Sequence, residues 1–199
     1  MGTFSNRLAE RAVAEHKRFG GRPETDARVR SLLVEYWTKG AARSAGDADA
    51  AIKAGLAWSA AFVSYCVRQT DAAAPFAFSS LHAKYIQAAI KNRQAGGAAP
   101  GFFGDPPSGP GARSPAVGDI IGFSRADDVK TYADAASRDD YFSHCDIVVS
   151  RHGNVISVIG GNVGDTVTKT TIALDAKGLL PAKSAAGGPY IVVLTNTLA

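Results

Sequence analysis

Apolar residues recur at intervals of three and four in the first half of the chain and alternate with polar ones in much of the second half. The first spacing is typical of helices that bury one face, and the second of strands in a half-buried sheet. In the first segment Leu8, Ala12 and His16 share a helical face, and Asp26 can cap a second helix. The apolar face of that second helix comprises Val29, Leu32, Leu33 and Tyr36. We therefore expect residues 1–50 to form a helical N-terminal extension.

Two further helical stretches follow. The segment "DADAAIKAGLAWSAAFVSYCVRQT" predicts two helices hinged at Gly55, and "SSLHAKYIQAAIKNR" predicts another that is capped by Ser79 or Ser80. The inward face of this last helix is expected to comprise Leu81, Tyr85 and Ile86. Residues 95–118 are rich in Gly and Pro, so we interpret them as one long loop.

The remaining segments have the pattern of strands. Short β-branched runs occupy residues 119–123, 145–150, 154–160 and 189–196, and residues 166–172 can add one more strand. The sequence "RHGN" between the second and third runs predicts a tight hairpin. Helices followed by antiparallel strands indicate an α+β fold, in which N-terminal helices pack on a small antiparallel sheet. We expect one domain over residues 1–199.

Charge and composition narrow the function classes. The formal net charge is +4, with 22 basic and 18 acidic side chains mixed along 199 residues. This balance suits an anionic polymer such as the cell wall, but without a basic run interleaved with aromatics it does not favour nucleic acid. No apolar run approaches the ~20 residues of a membrane span, and the first residues lack the pattern of a secretory leader. We therefore expect synthesis in the cytoplasm.

The number and spacing of the cysteines do not favour a metal centre. Cys66 and Cys145 can pair or stay free, and a metal site would need more ligands at closer spacing. We expect neither a metal nor a cofactor.

Three features are candidates for chemistry: Ser59 at a helix start, His144 at a strand start, and "GGNVGD" at a strand end. The start of a helix presents free amide groups that stabilise a developing anion, and a serine nucleophile needs a histidine base held by a third polar group. Asn162 can hold His144. Because residues two apart on a strand share a face, Asp146 is an alternative orienting residue, and Asp165 is a third. Taken alone, Ser59 also fits a helix cap.

The order of these features resembles a known family. "AWSAAFVSYC", "SPAVGDIIGFSR" and "SHCDIVVSRHGNVISVIGGN" resemble the motifs of the papain-like NlpC-type and CHAP-type cell-wall peptidases and amidases. The resemblance implies a papain-like fold, a nucleophile at Ser59, a base at His144 and an orienting residue at Asn162. It also places Trp58 beside the substrate cleft.

Some positions depart from that family. Its nucleophile is normally cysteine, and Gly160 stands where CHAP-type enzymes tend to have a glutamate. The chain is also similar to a group within the superfamily that has W-S-A-A-F followed by S-x-x-H-x-x-Y-I, which "SSLHAKYI" matches. This likeness implies that His82 and Tyr85 lie near the cleft. A hydroxyl must lose its proton during attack, so a serine needs a neutral histidine.

The sequence therefore favours a peptidoglycan hydrolase, an amidase or endopeptidase that cleaves an amide bond of the stem peptide with Ser59 and His144. The alternatives are a non-catalytic descendant that binds cell wall or protein, and an acyltransferase or lipid-directed enzyme. A hydrolase of this kind made without a leader is expected to act in the periplasm or cell wall after non-classical delivery. It would resemble an antibacterial effector, whose expected partner is an immunity protein.

Overall fold

The structure, a computed structural model, describes residues 2–199 and has helices packed on a six-stranded antiparallel sheet. The expected α+β class is confirmed. A 3₁₀ turn (Ala27–Val29), capped by Asp26 as expected, leads into α2, and a π-helical turn (Tyr36–Gly40) follows it. The α-helices are α1 (Phe4–Phe19), α2 (Arg30–Glu35), α3 (Ala45–Lys53), α4 (Ser59–Thr70), α5 (His82–Gln94) and α6 (Tyr132–Ser137).

The sheet has the spatial order β1-β6-β2-β3-β4-β5, and all neighbouring strands are antiparallel. The expected hairpin is confirmed, since His152 pairs with Val155 across the turn. The five expected strands are all present, with their ends shifted by one or two residues. The strands are β1 (Phe102–Asp105), β2 (Ile120–Ser124), β3 (Ser143–His152), β4 (Val155–Gly160), β5 (Thr168–Ala173) and β6 (Tyr190–Asn196).

The interpretation of residues 95–118 as one loop is wrong, because β1 lies inside this segment and pairs with β6. All four residues of β1 are buried, so the strand has no alternation of polar and apolar positions. A Cβ at Gly104 would lie 2.7 Å from the backbone nitrogen of Ile90. The glycine that looks like a loop residue in the sequence therefore allows β1 to approach α5.

The start of α5 also differs from expectation. The prediction that Leu81 points inward is wrong, because this side chain is 46% exposed and Leu81 is the N-cap residue, without a side-chain capping bond. Ser79 Oγ accepts from Leu81 N–H, so this serine stabilises the turn before the helix. Tyr85 and Ile86 are buried as expected.

Helices cover one face of the sheet. Buried side chains of α1, α4 and α5 join those of the strands in one apolar core, and α1 packs against both β3 and α4. The opposite face buries a smaller cluster, which Leu174 and Leu180 cover. The N-terminal helices thus share their core with the rest of the chain. Within residues 2–199, no helix is long and apolar enough to cross a membrane.

The turn "PAVGD" connects the start of β2 to the end of β6. The Asp119 carboxylate accepts from the backbone N–H groups of Ala116 and Asn196, at 2.8 and 2.9 Å. Burial raises the pKa of Asp119 to about 6. Gly118 has φ +86°, and a Cβ there would meet the backbone of Ser5. This motif therefore has a structural role: it fixes the entry to β2.

An aromatic stack fixes the start of α4. The Trp58 ring stacks on Phe19 and Tyr36, with centroids 5.3 and 5.7 Å away, and its Nε1–H donates to Glu24. A Cβ at Gly161 would lie 2.7 Å from the Trp58 ring, so the end of β4 packs directly on the helix start. Trp58 is 2% exposed. Trp58 therefore packs in the core beneath the start of α4 and does not line the cavity that contains Ser59.

Candidate active site

Ser59 is the first residue of α4, and its side chain points away from the helix backbone. The N-cap position belongs to Trp58, and Ser59 Oγ lies 2.7 Å from His82 Nε2. A capping serine would instead accept from a backbone N–H of its own helix. The geometry therefore places Ser59 in a side-chain pair with a histidine, and the cap interpretation is wrong.

His82 connects Ser59 to Tyr85. Its other ring nitrogen, Nδ1, is hydrogen-bonded to the Tyr85 hydroxyl one turn along α5. Burial lowers the pKa of His82 well below its usual value, and the nearby His144 and Arg125 lower it further. A neutral imidazole has one donor and one acceptor nitrogen. With the ring proton on Nδ1, the Ser59 hydroxyl donates to Nε2.

His144, the second residue of β3, forms a separate pair with Asp146. His144 Nε2 lies 3.0 Å from Asp146 Oδ1, and both residues are buried. The ring centroids of His144 and His82 are 5.3 Å apart. The structure thus brings the expected base into the site, but the imidazole that contacts Ser59 is His82. The assignment of His144 as base stays a prediction.

The third polar group beside His144 is the strand neighbour Asp146. Asn162 lies just beyond the end of β4 with φ +56°, and Asp165 follows in the same loop with φ +59°. In the part of the chain that the structure describes, neither side chain hydrogen-bonds to His144. The strand alternation that made Asp146 an alternative is confirmed, since the two side chains share a side of β3.

Gly160 explains how Asp146 fits there. A Cβ at residue 160 would collide with Asp146 Oδ1 and lie 2.9 Å from His144 Nε2. The Asp146 carboxylate therefore occupies the space that a side chain at residue 160 would need. Asp146, on the neighbouring strand β3, thus supplies the carboxylate at this end of β4.

Gly160→Ala should disrupt the pair between His144 and Asp146. The added methyl group cannot fit without displacing the Asp146 carboxylate, so we expect the His144 imidazole resonances to shift in NMR spectra. Gly46→Ala, in exposed helix α3, is the matched control, since its Cβ would meet nothing closer than 3.9 Å. Unchanged imidazole resonances in the Gly160 variant would contradict this account of the pair.

Two cavities flank the histidines. One, of about 430 Å³, is lined by Ser59 and His82, and the other, of about 200 Å³, by His144 and Asp146. The residues Ala57, Ser80, Leu81, Arg125, Tyr141, Phe142 and Ser143 complete the lining of the first. Ser59 itself is only 7% exposed, so a reacting group would have to enter this cavity to reach it. We call the first cavity the Ser59 cleft.

The start of α4 has backbone amides without an acceptor in the helix. The bonds of α4 begin with Phe62 N–H to Trp58 O, so the amides of the residues before Phe62 have no acceptor within the helix. Such amides, together with the positive end of the helix dipole, stabilise negative charge that develops on a substrate oxygen. Hydroxyl, neutral imidazole and free amides together form a site suited to acyl transfer.

Part of this cleft has no local signal in the sequence. Arg125 follows β2 at the very end of the stretch "SPAVGDIIGFSR", and Tyr141 and Phe142 precede β3 outside any motif. They meet because Ser124 pairs with Ser143 in the sheet and Arg125 N–H bonds to Phe142 O at 2.9 Å.

The cysteines and acidic side chains of residues 2–199 do not form a metal centre. Cys66 and Cys145 are separate buried thiols. Within residues 2–199, no cluster of three or more His, Cys, Asp or Glu side chains is arranged to hold a metal ion.

Comparison with protein-family models identifies the family of this chain. A search of curated proteins and a search of solved structures found no match. Residues 27–188, which include every candidate site residue, match the model of the family described as "Uncharacterized protein conserved in bacteria (DUF2272)". Because this match covers well over half of the chain, the protein belongs to the DUF2272 family.

Proposed function

We propose that this protein is a serine-dependent hydrolase that cleaves an amide bond of peptidoglycan. The observation that carries the proposal is the 2.7 Å contact between Ser59 Oγ and His82 Nε2 at the start of α4, inside a cavity. A serine with only a packing role would not require a hydrogen bond to an imidazole at a helix start. The arrangement instead provides a nucleophile, a base and an oxyanion site.

The reaction follows from these contacts. Ser59 Oγ attacks the amide carbon as its proton passes to His82 Nε2, and the helix-start amides stabilise the oxyanion. When the C–N bond breaks, His82 returns the proton to the leaving amine, and an ester remains on Ser59. Water, deprotonated by His82, then attacks the ester carbon, and the proton returns to Ser59 as a carboxylic acid leaves.

Tyr85 supports this cycle by its contact with His82. The Tyr85 hydroxyl at Nδ1 fixes the ring orientation, and burial raises the pKa of this tyrosine so that it stays protonated. Asp146 is hydrogen-bonded to the neighbouring His144 and orients that ring. We assign proton transfer to His82, with Tyr85 as the residue that orients its ring.

The proposal that peptidoglycan is the substrate rests on the likeness of three ordered motifs to those of NlpC-type and CHAP-type enzymes. The nucleophile at a helix start, packed against an antiparallel sheet that holds a histidine, agrees with a papain-like arrangement. On this proposal the stem peptide is the substrate, the site of action is the periplasm or cell wall, and an immunity protein would block the cleft.

Toxicity should therefore depend on compartment. We expect bacteria to tolerate the chain in the cytoplasm and to round up or lyse when an export signal carries it to the periplasm, because peptidoglycan is present only there. Cell counts and light microscopy measure this. The exported Ser59→Ala variant should be harmless, and lysis by that variant would contradict the proposal.

A lipid-directed acyltransferase is the second candidate. Phe142 and Leu81 line the Ser59 cleft and are 81% and 46% exposed, which would suit a substrate with an acyl chain. Equal toxicity in cytoplasm and periplasm would favour this alternative over a cell-wall substrate.

A further inference from the structure

The Ser59 cleft contains more polar groups than the proposed reaction uses. Arg125, Tyr141 and Ser143 line the same cavity as Ser59 and His82. None of the three is needed to move a proton to or from Ser59. Their chemistry therefore indicates what the cleft binds.

Arg125 is a cation that has no acidic partner among residues 2–199. Within residues 2–199 its guanidinium forms no ion pair, although its charge lowers the pKa of His82, so it lies close to the site. Three carboxylates of the nearby segment are already paired with other cations. These pairs are Asp127 with Lys130, Asp128 with Arg138, and Asp139 with Lys84.

Two hydroxyl groups beside Arg125 also lack partners. Tyr141 OH and Ser143 Oγ are buried atoms with no hydrogen bond among residues 2–199, and Tyr141 as a whole is only 9% exposed. An unsatisfied buried hydroxyl is destabilising, so such groups in a native fold call for an explanation. Burial raises the pKa of Tyr141, so its hydroxyl remains a donor.

The sheet brings these three donors to one place. Ser143 pairs with Ser124 at the adjacent ends of β3 and β2, and Arg125 N–H bonds to Phe142 O at 2.9 Å. A guanidinium with two hydroxyl donors matches a carboxylate, which can accept two parallel bonds from arginine and further bonds at its remaining lone pairs. The paired ends of β2 and β3 therefore fix the backbone from which these side chains extend.

We propose that Arg125, Tyr141 and Ser143 bind a free carboxylate of the substrate beside the amide bond that Ser59 attacks. The substrate is then an anionic peptide, cleaved next to a residue that retains a free carboxyl group. This inference rests on the proposed function for the identity of the bond that is cut, but the binding of the carboxylate can be measured without any cleavage.

The binding test uses the full-length Ser59→Ala variant and two soluble muramoyl tetrapeptides, one with free carboxylates and one with the carboxylates amidated. By calorimetry the free form should bind about 10-fold or more tightly than the amidated form, because hydrogen bonds to charged groups are stronger than those to neutral ones. Adding Arg125→Gln should remove most of this difference. Tyr141→Phe, which removes only a hydroxyl, should reduce it by a smaller factor.

Lys130→Gln is the matched control, because Lys130 is an exposed cation near Arg125 that pairs with Asp127 and does not line the cleft. It should leave both affinities as they are. Equal affinity for the two peptides, no binding of either, or an Arg125→Gln variant that still discriminates would each overturn the inference. If the parent chain cleaves neither peptide, the proposed function fails, and the binding result still decides the role of Arg125.

Discussion

Ser59→Ala should leave the chain folded and reduce amide hydrolysis by at least about 10³-fold. The loss is large because the variant has no atom to attack the amide carbon, whereas only one hydrogen bond, to His82, is removed from the fold. We expect the free energy of unfolding to fall by about 1–2 kcal/mol. Thermal denaturation and the rate of cleavage of a soluble muropeptide measure the two effects.

The Ser59→Cys variant tests whether residue 59 is a nucleophile or has only a packing role. A thiol beside an imidazole at a helix start ionises more easily than one in solution, so this variant should react with iodoacetamide at residue 59 and retain some hydrolysis. Cys66 and Cys145 serve as internal controls, since both are buried and burial raises the pKa of each thiol. An introduced thiol no more reactive than these two would speak against an activated position.

His82→Ala should reduce hydrolysis more than His144→Ala does. His82 is the imidazole in contact with Ser59, so its loss should lower kcat on the order of 10³-fold, against about 10- to 100-fold for loss of the neighbouring His144. The variants are compared at equal folded fraction, measured by circular dichroism, because both side chains are buried.

His152→Ala is the control for these variants, since this exposed histidine in the β3–β4 hairpin should have no effect. The reverse ranking, with His144→Ala the more damaging, would show that Ser59 turns towards His144 during the reaction. That result would restore the base expected from the sequence. Full activity in both variants would mean that the site is wrongly assigned.

The elements that could be predicted from the sequence are those with a local pattern. Helical spacing reflects the burial of one face of a helix, as in α1, α4 and α5. Runs of β-branched residues reflect the burial of one face of a strand, or of both faces in central strands, as in β2, β3, β4 and β6. The strand β1 could not be found this way, because it is short, buried at every position and surrounded by Gly and Pro. Its formation depends on pairing with β6, which lies at the far end of the chain.

The same distinction applies to the candidate site. Ser59 at a helix start and His144 beside Asp146 on a strand follow from local sequence. The contact between Ser59 and His82 depends on how α4 and α5 each pack on β3, and only the resemblance placed His82 near the cleft. Arg125, Tyr141 and Ser143 come together through the pairing of β2 with β3, which no local motif encodes.

Release of amines from purified peptidoglycan tests most directly whether Ser59 cleaves an amide bond of the cell wall. Hydrolysis of one amide frees one amino group and one carboxyl group, so the protein can be incubated with the polymer, the new amines assayed, and the products identified by mass spectrometry. We predict that the parent chain releases amines continuously and that the Ser59→Ala variant, folded to the same extent, releases none. Equal release by the two proteins, or none by either, would contradict the proposed activity.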